Sequence, residues 1–130
     1  MTTSRRVLFV APQIPDDVTR RTLENRGLAA TYEDDWQDAW GQLAGSEFSL
    51  VIADLSRDED AINFIRRMRE TESTKAMPVL VLGEWGTGGP TLALSQGADA
   101  FEPTPIQAER LATSIERLLA ERARAASQTK

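Results

Sequence analysis

The 130-residue chain contains no cysteine and no histidine. Their absence removes disulfides, thiolate nucleophiles, imidazole general bases and the usual Cys/His zinc sites together. An excess of cationic charge is also missing, since 20 acidic residues face 15 basic ones for a formal net charge of -5. That balance repels a phosphate backbone, so nucleic acid is not expected as a direct partner. Long apolar runs are missing as well. The segment Val7-Leu8-Phe9-Val10-Ala11 after Arg5 and Arg6 is too short for a signal-peptide core, and nothing approaches a membrane span. A cytoplasmic protein without membrane contact is the expectation, and the lack of cysteine suits a reducing compartment.

What is present is an ordinary globular composition, 41% hydrophobic and 27% charged, in a chain long enough to bury a core without staples. One domain is expected over residues 1–130, with a core from about 5 to 122 and a polar tail over 123–130. Five short apolar runs alternate with stretches of helical period, which predicts an α/β fold: a doubly wound, five-stranded parallel sheet with helices on both faces. The strands are expected at Val7 to Val10, Leu28 to Tyr32, Phe48 to Ala53, Pro78 to Leu82 and Ala100 to Glu102.

Asp16 and Asp17 offer caps for a first helix carrying Val18 and Leu23 and closed by Gly27. Asp34 or Asp35 can cap a second, in which Trp36, Ala39, Trp40 and Leu43 form a core-type stripe. A third helix presents Ile62, Ile65 and Met68 on one face and Arg66, Arg67 and Arg69 elsewhere. The loop Gly83 to Pro90 is rich in glycine, so the fourth helix is expected to be short, from near Pro90 to before Gly97. The last begins near Ile106, repeats Leu111, Ile115, Leu118 and Leu119, and frays over Ala125 to Lys130.

In open parallel sheets functional groups gather beyond the carboxyl ends of the strands. Those positions are Ala11 and Pro12 after the first strand, Asp54 after the third, Gly83 after the fourth, and Thr104 with Pro105 after the fifth. The stretch Leu50-Val51-Ile52-Ala53-Asp54-Leu55 resembles the phosphoacceptor strand of bacterial response-regulator receiver domains, and Gln96-Gly97-Ala98-Asp99-Ala100-Phe101 resembles the approach to their fifth strand. Spacing agrees from about Arg6 to about Glu121. The resemblance implies a (βα)5 flavodoxin-like fold with strand order 2-1-3-4-5. It also implies a chemistry: an acidic pair that holds Mg²⁺, an aspartate that accepts a phosphoryl group, a hydroxyl residue after the fourth strand, and a lysine before a proline. In this chain the pair falls on Ala11 and Pro12, the hydroxyl position on Gly83 and the lysine on Thr104, while Asp54 and Pro105 match. Phe101 matches the aromatic position that changes rotamer on activation in the family.

An alanine–proline pair supplies no carboxylate for a hard, strongly hydrated cation, so no metal or other cofactor is expected. Without metal and lysine, charge on a transferring phosphoryl group has lost its main electrostatic support. The expected function is therefore a pseudo-receiver in two-component, phosphorelay signalling. It would be a protein-binding module and not an enzyme, with a histidine kinase or downstream signalling protein as partner. Asp54 also admits two other readings, as a working phosphoacceptor of a single-domain regulator or as an unmodified residue capping the loop after it. The acidic run Asp58-Glu59-Asp60 can be read as substitute ligands or as a solvated helix start. Gly86-Thr87-Gly88-Gly89 looks like a phosphate loop but lacks its lysine and hydroxyl residue. A small-ligand module of flavodoxin-like topology would use that loop as its pocket. Trp85 is the candidate partner contact, read either as an exposed aromatic anchor in that loop or as a ring folded back on the domain as packing.

Overall fold

A computed structural model describes residues 5–55, 58–84, 86 and 88–128, with backbone alone at 58 and 126–128. Over these residues the order is β1 (Arg6–Val10), α1 (Asp17–Asn25), β2 (Ala29–Glu33), α2 (Trp36–Gly45), β3 (Leu50–Asp54), α3 (Asp58–Glu70), β4 (Val79–Gly83), α4 (Gly89–Ser95), β5 (Ala100–Pro103) and α5 (Ala108–Gln128). The strands form one parallel sheet in the order β2-β1-β3-β4-β5, as expected.

Strand alternation divides the core into two layers. Leu8, Val10, Val51, Ala53, Val79 and Val81 face α2, α3 and α4, where they meet Ala39, Leu43, Ile62, Ile65, Met68 and Ala93. Val7, Phe9, Leu50, Ile52, Leu80 and Leu82 face the other way, onto Leu23 of α1 and Leu111, Ile115 and Leu118 of α5. Burial on both faces is why β1, β3 and β4 read as continuous apolar runs. Each fully buried Leu, Ile or Phe contributes about 1.5–3 kcal/mol.

The helix starts follow the aspartates. Asp16 accepts from the Thr19 N–H at 2.9 Å, and Asp35, not Asp34, accepts from the Asp38 N–H at 2.9 Å. Gly27 takes the left-handed conformation after α1, at φ +77°.

Several boundaries move. Leu28 and Phe48 are buried but lie just outside the β2 and β3 ladders. Gly83 is the last residue of β4, in register with Pro103, and not the first of a loop. Helix α5 starts at Ala108 and stays helical through Gln128, past the expected fray at Ala125, because its Ala, Arg and Glu residues are good helix formers. Val18 is 66% exposed, since α1 turns Thr19 and Leu23 inward and leaves Val18 on the outer side. Trp36 and Trp40 are only partly buried. They flank Phe64 with ring centroids 5.1 and 5.7 Å away, and Arg67 stacks 3.9 Å above Trp40.

One arginine ties two connections together. Arg69 donates to the carbonyl oxygens of Gly97 (2.7 and 3.0 Å), Met77 (2.8 Å) and Lys75 (3.1 Å), and pairs with Asp99 at 3.0 Å. Asp99 in turn accepts from the Val79 N–H at 2.8 Å. The end of α3, the α3–β4 loop and the α4–β5 loop are thereby held to the start of β4.

Candidate functional site

The crossovers reverse direction between β1 and β3, which leaves a crevice beyond the carboxyl ends of those strands. Asp54, the half-buried last residue of β3, borders it. Two cavities adjoin there. One, of about 220 Å³, is lined by Val10, Ala11, Pro12, Asp34, Trp36 and Asp54. The other, of about 600 Å³, is lined by Pro12, Gln13, Ile14, Pro15, Asp16 and Asp54.

Ala11 and Pro12 therefore reach the crevice, but with no ligand oxygen on either side chain. Ala11 is 7% exposed, and its N–H donates to the Glu33 carbonyl at 3.0 Å, which carries the β1–β2 contact one residue past the strand. Pro12 is exposed. Gly83 is buried, and the space beside its Cα is already filled. An ideal Cβ there would lie 3.2 Å from Leu55 Cδ1 and 3.5 Å from Pro90 Cγ. Thr104 donates its N–H to the Gly83 carbonyl at 2.8 Å, and its peptide bond to Pro105 is cis. Phe101 is half-buried and packs on the layer beneath α2, α3 and α4.

Two further carboxylates border the same cavities as Asp54, Asp34 on the smaller and Asp16 on the larger. Asp16 caps α1 and also lines the larger cavity, Asp17 pairs with Arg20, and Glu59 and Asp60 are exposed in the first turn of α3. Among the described residues no group of three or more acidic side chains is gathered to hold a metal ion. The side chain of Asp58, Trp85 and Thr87 lie outside the described residues, and with them the expected Trp85 anchor and part of the glycine-rich loop.

Asp34 and Trp36 join the crevice although the sequence offered them only as a helix cap and a core stripe. Their position just beyond β2 was the available signal, because every strand of such a sheet delivers its next residues to the same edge. Glu102, on β5, was also missed. It accepts from Ser114 Oγ at 2.5 Å and pairs with Arg110 at 3.0 Å, which fastens β5 to α5 with a side chain only 12% exposed. On the α1–α5 side, Arg26 bonds Glu116 at 2.5 Å and Glu109 at 2.7 Å. The bond from Arg26, helped by Arg5, holds the Glu116 carboxyl below its ordinary value, against a smaller opposing effect of burial.

No protein-family model and no curated protein sequence matches the chain. Solved structures do match its fold. A CheY-like response regulator receiver domain protein from Methanospirillum hungatei superposes with a TM-score of 0.80 at 19% identity, covering 95% of this chain and 99% of its own. A response regulator from Thermotoga maritima gives 0.78 at 21% identity, over 91% and 99%. The signal receiver domain of a signal transduction histidine kinase from Syntrophus aciditrophicus gives 0.77 at 23%, over 89% and 90%. Likeness of this kind establishes architecture, and the architecture of this chain is the CheY-like receiver fold.

Proposed function

We propose that the chain is a receiver-like domain of two-component, phosphorelay signalling, and that it is a pseudo-receiver which binds a protein partner without Mg²⁺-dependent phosphorylation. The observation that carries this reading is the close packing at Gly83, where even a Cβ would press on Leu55 Cδ1 at 3.2 Å and touch Pro90 Cγ at 3.5 Å. Ala11 and Pro12 support it. Mg²⁺ demands several hard oxygen ligands in near-octahedral geometry, and this pair brings a methyl and a pyrrolidine ring to the crevice. Neither side chain can serve as a ligand to the metal. Thr104, neutral where a lysine would stand, leaves charge on a phosphoryl group without its second counter-charge. The domain is then a signalling module and not an enzyme.

For a partner, a histidine kinase or a downstream signalling protein is the class proposed, because one of the matching folds is itself described as part of a histidine kinase. Leu92 and Leu94 of α4 are 47% and 45% exposed, and α4 packs beside β5, the strand that carries Phe101. Exposed leucines on a short helix are suited to the apolar centre of an interface. No described helix is long and apolar enough to cross a membrane, and a cytoplasmic setting is part of the proposal. A second reading, phosphorylation on Asp54, is favoured by one observation: the residue is retained and borders both cavities.

Titration of the full chain with Mg²⁺ and then with beryllofluoride, read by amide chemical shifts, separates the two. The pseudo-receiver leaves amides around Asp54 unmoved. Saturable shifts there, absent in Asp54→Asn, would establish the phosphorylation reading instead.

A further inference from the structure

At the opposite end of the sheet, under the amino ends of β3 and β4, lies a cavity of about 500 Å³ that the crevice chemistry does not use. Its origin is a mismatch of lengths. Helix α5 has 21 residues, about 31 Å at 1.5 Å per residue, whereas the five residues of β3 span about 17 Å. The helix returns from the carboxyl edge of the sheet, so its last turns overhang the amino edge and wall off a space there. Leu43, Phe48 and Met77 floor it from one core layer and Leu119 closes it from the other, so the sheet edge between the two layers is uncovered.

The walls are held in place. Thr74 donates its hydroxyl to the Met68 carbonyl at 2.8 Å, Arg69 grips the Met77 carbonyl at 2.8 Å, and the Ser49 N–H bonds the Arg6 carbonyl at 2.8 Å. At the mouth stands one guanidinium, that of Arg122, steadied by a 3.2 Å bond from Nη1 to the Ser49 carbonyl. Arginine forks bind carboxylates bidentately, and a second nitrogen of the fork is not needed for the Ser49 bond. Glu47 lies on the same rim and opposes any anion, so a carboxylate is favoured only where Arg122 reaches it.

We propose that this cavity is a binding site for a small amphipathic monocarboxylate: an apolar body on Leu43, Phe48, Met77 and Leu119, and one carboxylate on Arg122. A pre-formed apolar pocket with a single oriented charge is the usual form of a small-ligand site. The proposal is independent of Asp54 and of the signalling role.

The test uses the full chain, amide chemical shifts and two probes of equal length and opposite charge, octanoate and octylammonium. Octanoate, below its micellar concentration, is expected to shift Phe48, Ser49, Thr74 and Leu119 saturably. Octylammonium should bind at least about fivefold more weakly, and Arg122→Gln should weaken octanoate by about the same factor. Ala123→Trp, at an exposed position lining the mouth, should abolish binding while leaving the melting curve unchanged. Equal affinity for the two probes, indifference to Arg122→Gln, shifts scattered over other surfaces, or no saturation would each overturn the proposal.

Discussion

Introducing a hydroxyl side chain at Gly83 is expected to damage the fold, and the geometry sets how much. An ideal Cβ at this position already lies 3.2 Å from Leu55 Cδ1, 3.5 Å from Pro90 Cγ and 3.6 Å from Leu55 Cβ. Carbon atoms pack best at about 3.5–4.0 Å, so Gly83→Ala needs Leu55 to yield by a few tenths of an ångström. Alanine also restricts the unfolded chain, which stabilises by about 0.4–1 kcal/mol and offsets much of that strain. The alanine variant should therefore stay within about 1 kcal/mol of the parent. Threonine adds two further heavy atoms against the same wall, and Leu55, only 5% exposed, has little room to retreat. Overpacking of this kind costs about 1–3 kcal/mol. A loss near 2 kcal/mol lowers the melting temperature of a chain this size by about 6–10 °C. Urea denaturation followed by circular dichroism measures it. Leu55→Ala alone should destabilise by about 2–4 kcal/mol, yet less in the Gly83→Thr background, with a coupling of about 1 kcal/mol or more. Parent-like stability of Gly83→Thr, or strict additivity with Leu55→Ala, would refute Leu55 as the obstacle at this position.

Arg69→Ala removes the shared donor to the carbonyls of Gly97, Lys75 and Met77 and the partner of Asp99, and urea denaturation should show a loss of about 2–4 kcal/mol. Asp35→Ala deletes the α2 cap and should cost about 1 kcal/mol, a difference readable in the same denaturation series. Glu116 has its folded pKa depressed by Arg26, so its contribution to stability is present above the ordinary glutamate value and is lost as pH falls through the lower folded value. Melting temperature measured from about pH 5 down to about pH 3 should fall less steeply in Glu116→Gln than in the parent.

Strand order and the two-layer core follow from signals that local sequence carries well. Continuous apolar runs mark β1, β3 and β4 because those strands are buried on both faces, and the aspartates at 16 and 35 mark helix starts because an exposed N–H needs a local acceptor. The candidate site was legible only in part. Ala11, Pro12, Asp54 and Gly83 could be placed because each directly follows or ends a strand. That Leu55 and Pro90 crowd Gly83 depends on side chains from the β3–α3 connection and from the first turn of α4, and no local pattern encodes it. Val18 was expected beside Leu23 in the first helix, but five residues apart the two point to different sides, and the sheet took the side of Thr19 and Leu23. The reach of α5 escaped notice because a polar helical end and a polar tail have the same composition, and only propensity separates them.

The outer strands bear on behaviour at high concentration. In a sheet ordered β2-β1-β3-β4-β5, β2 and β5 each offer one unpaired side to which another chain could add. Strand β5 is four residues long and ends in Pro103, which has no N–H to give. Strand β2 ends in Glu33, so stacking copies edge to edge would bring like charges together along its line. Both borders are poor templates for fibrillar growth, and the molecule should resist sheet-to-sheet polymerisation even where its exposed leucines invite looser association.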